Sequence, residues 1–235
     1  MNLRYDFKIK DLITTINLFL SFYSVILVFQ DRFLLASVLV TFNIMVLDVL
    51  DGVVARISGT ENIFGKYFDS VTDFVGSSVI VCFFIYHVFE KKYPLLGLFL
   101  SFIPLLVGVL REVRSQMGIV RIKGYFIGYP RNSSAVVMIA VLNSTVAPLV
   151  GFYPLVILYL LVLSYLQLSK IPFVGNDKPL LMKMPRMKFY LLSGLILVIG
   201  GGLLGYFWDA FLLMMTVFML SSFIIVDKKV WNQIS

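Results

Sequence analysis

The chain has 235 residues, of which 60% are hydrophobic, 15% are aromatic and only 14% are charged. An ordinary soluble domain carries about 25% charged residues, and the mean hydropathy of +0.94 is too high for a water-soluble globule. So apolar a chain is not intrinsically disordered, and its one cysteine, Cys82, excludes a disulfide-stapled fold. The composition therefore predicts an integral membrane protein.

Apolar runs long enough to form membrane helices recur along the whole chain. A helix crosses the hydrocarbon layer with about 20 residues, and runs without alternation argue against a transmembrane β-barrel. The runs are separated by polar or turn-forming residues such as Gln30–Arg32, Glu90–Lys92, Gly151 and Gly205–Asp209. We predict an all-α, polytopic membrane helix bundle with about eight transmembrane helices, at residues 12–29, 33–55, 69–89, 94–113, 132–149, 152–169, 189–205 and 208–226.

The basic residues predict the orientation of this bundle. With the N-terminus inside and all eight spans present, every Lys and Arg lies on the inner side except Arg32, Lys91 and Lys92. Inner loops of membrane proteins are enriched in Lys and Arg, so both termini are predicted to be cytoplasmic. The net charge of +7 then faces anionic lipid headgroups and does not indicate nucleic-acid binding.

Four acidic residues lie close together at the predicted inner ends of the second and third helices. Asp48 and Asp51 are three residues apart and Asp69 and Asp73 are four apart, so each pair shares one face of its helix. Carboxylates at membrane depth are costly, and four can share a site only with cations. Oxygen ligands suit Mg²⁺, Mn²⁺ or Ca²⁺, and two such ions would form a phosphoryl-transfer clamp. The alternative is a set of solvated helix-end charges.

Small residues and one arginine accompany the four aspartates. Gly52 and Ala55 leave room on the carboxylate face, and Gly65 does the same at the entry to the third span. Arg56 adds a guanidinium suited to bidentate phosphate binding. Together with the metal-binding acids, these residues predict a diphosphate pocket.

The complete pattern, D-x2-D-G-x2-A-R-x8-G-x3-D-x3-D from Asp48 to Asp73, resembles the signature of the CDP-alcohol phosphotransferases. The resemblance implies two divalent cations, Mg²⁺ or Mn²⁺, held by the four aspartates, with Asp73 as the general base. It also implies a CDP site lined by the Gly, Ala and Arg positions. The implied reaction transfers a phosphatidyl-type group from a CDP-linked lipid to an alcohol and releases CMP.

Looser matches resemble the phosphatidylserine synthase branch of that family and imply L-serine as the acceptor. They include T-x-x-N-L-F around Asn17 and A-R-x-x-G-T ending at Thr60, which adds these two residues to the CDP site. Inositol phosphate, glycerol phosphate or choline are alternative acceptors. A divalent-metal intramembrane prenyltransferase is an alternative enzyme, whereas a transporter does not explain the fixed Gly, Ala and Arg offsets.

Three further arginines are candidates for binding the acceptor or a phosphate: Arg111, Arg114 and Arg131. The first two belong to an L-R-x-x-R segment that resembles the same branch. Arg131 follows Pro130 at the start of the fifth predicted span. Each is equally well explained as a positive-inside anchor.

The predicted organisation has five parts. Residues 1–11 form a cytoplasmic segment, either an interfacial helix or an ordinary polar end; residues 12–172 form the phosphotransferase core. The remaining parts are a basic cytoplasmic loop at 173–188, an additional transmembrane hairpin at 189–226 and a tail at 227–235. The family resemblance suggests a homodimer. The composition and the distribution of Lys and Arg predict an integral protein of the cell membrane with its active site facing the cytoplasm.

Overall fold

The structure is a computed structural model. It describes residues 9–47, 50, 63–117, 124–174, 185–226 and 228–231. These residues form helices joined by short connections, together with one small β-ribbon. The chain divides into two units, residues 1–112 and 113–235.

The first unit consists of long apolar helices, two of which contain a wider π-helical turn. We call Asn43–Leu47 the first π segment and Val75–Val79 the second π segment. The first π segment continues α2, and the second joins α3 to α4 without a break. The helices are α1 (Ile9–Phe29), α2 (Phe33–Phe42), α3 (Ile63–Phe74), α4 (Ile80–Glu90) and α5 (Pro94–Met117), the last of which extends into the second unit.

Helix α1 is the centre of the first unit, since it packs against α2, α3, α4 and both π segments. It ends where the sequence predicted, because Asp31 adopts a left-handed backbone with φ of 58°. The Arg32 amide donates to the Leu27 carbonyl at 2.9 Å and the Asp31 amide to the Val28 carbonyl at 3.1 Å. These two bonds satisfy carbonyls that a helix end otherwise leaves unpaired.

The second unit is built around one buried helix. Every residue from Ser134 to Leu142 in α6 is buried, and α6 packs against α8 and α10. The β-ribbon pairs Phe126 with Phe173 in antiparallel register, a feature that the sequence did not predict. The elements are β1 (Tyr125–Ile127), α6 (Arg131–Asn143), α7 (Ala147–Val150), α8 (Phe152–Leu168), β2 (Pro172–Val174), α9 (Pro185–Leu203), α10 (Phe207–Ile225) and α11 (Lys228–Trp231).

Among the residues that the structure describes, three helical stretches are long and apolar enough to cross a membrane: Asp11–Phe29, Phe64–Glu90 and Pro94–Met117. They correspond to the first, third and fourth predicted spans. The third predicted span, 69–89, begins earlier in the structure, at Ile63. Asp69 therefore lies inside the helix and not at its start. Shorter apolar helices occupy Phe33–Leu47, Phe152–Leu168, Ser193–Leu203 and Phe207–Leu220.

The single helix predicted at 132–149 is divided into α6 and α7. Ser144 has an extended backbone, with φ of −66° and ψ of 132°, and ends α6. The carboxylate of Asp209 on α10 accepts hydrogen bonds from the hydroxyls of Ser144 and Thr145 and from the amides of Thr145 and Val146. Since Asp209 binds amides that a continuous helix would use internally, it stabilises the break.

Replacing Asp209 by Ala is expected to lower the free energy of unfolding by about 1–2 kcal/mol, because hydrogen bonds to a charged group are lost next to partly exposed backbone. Thermal unfolding in detergent measures the change. Asp209→Asn keeps one acceptor oxygen and should unfold at an intermediate temperature. An Asp209→Ala protein that unfolds with the wild type would show that the break does not depend on this carboxylate.

Candidate active site

Helix α3 carries two of the predicted metal-binding aspartates, Asp69 and Asp73, one turn apart and both half-buried. Gly65 is buried in the first turn of the same helix. Just beyond Asp73 the chain enters the second π segment, where the Ser77 hydroxyl donates to the Asp73 carbonyl. Wider π turns occur often at functional sites, and this one directly follows the carboxylates.

The rest of the signature lies outside the described residues: Asp48, Asp51, Gly52, Ala55, Arg56 and Thr60. Their roles therefore stay predictions from the sequence. The first π segment ends at Leu47, immediately before the signature begins. Both ends of the signature are thus flanked by π turns.

At Gly108, helix α5 packs closely against the end of α3, the helix that carries Asp69 and Asp73 and that we call the carboxylate helix. A Cβ atom built on Gly108 would overlap the side chain of Ser78 and lie 3.0 Å from the ring of Phe74. Only a glycine allows this approach without displacement of the neighbours. The contact holds α5 next to Phe74 and Ser78, which follow Asp73 in the chain.

Glu112, which was not among the predicted site residues, lies one turn beyond Gly108 on α5. Its Oε1 accepts a hydrogen bond from the Ser70 hydroxyl at 2.6 Å. Ser70 directly follows Asp69, so a fifth carboxylate lies beside the carboxylate helix. The sequence showed only an acidic residue within a basic stretch. The hydrogen bond to Ser70 across 42 residues is what places Glu112 beside α3.

Asn17, predicted in the CDP site, is 4% exposed and belongs to a buried polar cluster. Its main-chain carbonyl and its Oδ1 both accept hydrogen bonds from the side-chain amide of Asn43, at 2.9 and 2.8 Å. The Oγ of Ser21, one turn further along α1, accepts a third at 2.8 Å. The side chain of Asn17 therefore links α1 to the first π segment.

The guanidinium of Arg114 is engaged by backbone carbonyls. One amino group donates to Leu168 at 2.8 Å and Ser169 at 3.2 Å; the other donates to Gln167 at 2.8 Å and Ile127 at 3.0 Å. Three of these carbonyls lie at the C-terminal end of α8, where helix carbonyls lack internal partners and a positive charge is favourable. The geometry supports a structural role for Arg114.

The other two candidate arginines are half-buried. Arg111 lies in the last third of α5, next to Glu112. Arg131 is the first residue of α6 and directly follows Pro130. Their assignment to an acceptor or phosphate site remains a prediction.

Two carboxylates one turn apart provide hard oxygen ligands, which fit Mg²⁺ or Mn²⁺ and not a soft metal. Within the described part of the chain, no group of three or more His, Cys, Asp or Glu side chains lies close enough to hold a metal ion. Asp69 and Asp73 are therefore half of the predicted ligand set.

The model of the CDP-alcohol phosphatidyltransferase family matches residues 7–221. The chain belongs to this family. The match extends beyond the predicted core at 12–172 and includes most of the hairpin at 189–226, which sequence analysis had left outside the compared region. Enzymes of the CDP-alcohol phosphatidyltransferase family generally use divalent metal ions.

Curated relatives from two organisms carry the name CDP-diacylglycerol–serine O-phosphatidyltransferase. The protein from Methanocaldococcus jannaschii is 33% identical over 143 residues, which cover 59% of this chain and 68% of the relative. The protein from Helicobacter pylori strain J99 is 30% identical over 130 residues, which cover 55% of this chain and 54% of the relative. The chain thus spans about half the length of the second relative.

Proposed function

We propose that this membrane protein transfers a phosphatidyl-type group from CDP-diacylglycerol or CDP-archaeol to the hydroxyl of serine, with release of CMP. The observation that supports this proposal most directly is the half-buried pair Asp69 and Asp73 on one face of α3, within the complete family signature. The names of the two relatives support serine as the acceptor. A prenyltransferase or a transporter would leave the family match unexplained.

The signature residues have separate tasks in this proposal. Asp48, Asp51, Asp69 and Asp73 would hold two divalent cations, which neutralise the diphosphate of the donor when bound. Arg56 binds a phosphate oxygen through its planar guanidinium. Asn17, Gly52, Ala55, Thr60 and Gly65 are proposed to line the CDP site.

The reaction itself needs one proton transfer. The carboxylate of Asp73 takes the proton of the acceptor hydroxyl, whose oxygen forms a bond to the lipid-side phosphorus. The bond between that phosphorus and the bridging oxygen breaks, and CMP leaves with the electron pair. Positioning and charge stabilisation supply most of the acceleration in such a transfer.

We also propose eight spans with both termini cytoplasmic, so that the reaction takes place at the inner membrane boundary. The distribution of Lys and Arg supports this orientation. The described helices that meet the length and composition of a span are three of these eight. Labelling of single introduced cysteines at the Asp31 and Gly205 turns in intact cells would test it, since both turns are placed outside.

CMP release distinguishes the candidate acceptors. Purified protein with CDP-diacylglycerol or CDP-archaeol and Mg²⁺ or Mn²⁺ is expected to release CMP with L-serine. Little release is expected with inositol phosphate, glycerol phosphate or choline. Chelation of the metal should abolish the reaction, and added Mg²⁺ or Mn²⁺ should restore it. Faster release with another acceptor would overturn the serine assignment, and no release with any pair would overturn the transferase proposal.

A further inference from the structure

A buried polar cluster connects the two π segments in the first unit. Asn43, the first residue of the first π segment, is 1% exposed, and Ser21 on α1 is also 1% exposed. The side-chain amide nitrogen of Asn43 lies 2.8–2.9 Å from three acceptors on Asn17 and Ser21. Polar groups at membrane depth need such partners, because lipid offers none.

The same two residues of α1 also contact the second π segment. A Cβ atom on Gly76 would lie 3.0 Å from the Oγ of Ser21 and 3.8 Å from the Oδ1 of Asn17. Gly76 is three residues after Asp73. One face of α1, formed by Asn17 and Ser21, is therefore in contact with the π turn before the signature and with the π turn after it.

At its buried position, Asn43 contributes less stability than an apolar side chain of similar size would. Its Oδ1 is buried and has no hydrogen-bond partner among the described residues. An unsatisfied buried acceptor costs about 1–3 kcal/mol, which an apolar side chain would avoid. The position thus gives up stability for a directional contact to α1.

A π turn makes that directional contact matter for the residues beyond it. It inserts one extra residue into a helix, which rotates the subsequent residues by about 100° relative to an uninterrupted α-helix. The first π segment ends at Leu47, directly before the signature, so the way this segment is held against α1 bears on the residues that follow. The side-chain amide of Asn43 hydrogen-bonds this segment to Asn17 and Ser21 of α1.

We infer that Asn43 is a positioning residue for the metal site, which it serves by fixing the first π segment against the α1 face that also contacts the second π segment. The inference rests on the proposed function, since it concerns the same four aspartates. Asn43 does not touch the substrate in this role. It holds the first π segment, which ends directly before the signature, in register with the second π segment, which begins two residues after Asp73.

The test compares Asn43→Ala with Asn43→Ser, which retains one donor. Binding of Mn²⁺ without substrate is measured by electron paramagnetic resonance, and kcat and KM are measured by CMP release. Loss of a residue that orients metal ligands typically weakens metal binding about 10- to 100-fold. We expect a change of this size for Asn43→Ala and a smaller one for Asn43→Ser, with kcat reduced more than the KM for the CDP-lipid.

Two control variants separate positioning from stability. Ser24→Ala removes another buried hydroxyl of α1, one that donates only within its own helix, to the carbonyls of Leu20 and Ser21 among the described contacts. Val28→Ala creates a buried cavity three turns from Asn17. Both should bind Mn²⁺ like the wild type, although Val28→Ala should unfold at a lower temperature.

Wild-type Mn²⁺ affinity and kcat in Asn43→Ala would overturn the inference while leaving the proposed function intact. An equal loss of Mn²⁺ affinity in Val28→Ala would also overturn the inference, because the loss in Asn43→Ala would then follow from lower protein stability and not from positioning. If the wild-type protein neither binds Mn²⁺ nor releases CMP, the proposed function fails and the inference fails with it.

Discussion

Replacing Asp73 by Asn is expected to lower kcat for CMP release by about three orders of magnitude, while the protein still folds. A positioned general base contributes about 10²- to 10⁴-fold, and the change also removes a metal ligand. The fold should survive because the side chain keeps its size and the Ser77 hydroxyl contacts the main-chain carbonyl of Asp73, which is unchanged. Initial rates with serine and the thermal unfolding temperature measure the two effects.

A comparison with Asp69→Asn separates the two roles of Asp73. Both variants lose a metal ligand, so both should bind Mn²⁺ more weakly. Excess Mn²⁺ should partly restore Asp69→Asn but not Asp73→Asn, because only Asp73 takes the proton in the proposal. Asp31→Asn is the matched control, since Asp31 lies in an exposed turn and Asn tolerates its left-handed backbone. Substantial activity in Asp73→Asn would refute its role as the base.

Replacing Arg114 by Ala is expected to lower the free energy of unfolding by about 3 kcal/mol. The guanidinium donates to four carbonyls, three at the end of α8 and one on β1. Hydrogen bonds from a charged donor contribute about 1.5–3 kcal/mol each and do not add fully. Thermal unfolding in detergent measures the loss. Arg114→Lys should recover less than half of it, because an ammonium cannot span both sets of carbonyls.

The matched control for Arg114 is Arg32→Ala, which removes an exposed arginine from the turn after α1 and should unfold with the wild type. The same variants also distinguish the two explanations of Arg114. If Arg114→Ala loses activity at an unchanged unfolding temperature, it binds acceptor or phosphate and the structural explanation is wrong. If stability falls and the surviving folded protein remains active, the phosphate assignment is wrong.

Some structural features were predictable directly from local sequence. The turn at Asp31 and the turn at Gly205 lie where polar and glycine residues interrupt apolar runs, and both residues adopt the left-handed backbone. The prediction that Asp69 and Asp73 share one face required only that their segment be helical, and it is. Helix ends and shared faces depend on neighbours within a few residues, so composition and spacing were sufficient.

Other features depended on partners far apart in the chain. The predicted helix at 132–149 is divided because its break is stabilised by Asp209, which is 65 residues from Ser144. Glu112 meets Ser70 across 42 residues, and nothing in its basic surroundings indicated that contact. Arg114 resembled a phosphate ligand in the sequence, but carbonyls 53–55 residues away engage its guanidinium.

The sequence by itself determined the membrane character, the family and the spacing of the four aspartates in the signature. These properties reside in residue types and in spacings short enough for helix geometry to interpret. Only the tertiary structure decided that α1 joins the two π segments through Asn17, Ser21 and Asn43, and that α5 brings Glu112 beside the carboxylate helix. Such contacts depend on how separate helices pack, because burial makes polar side chains find partners that chain order does not specify.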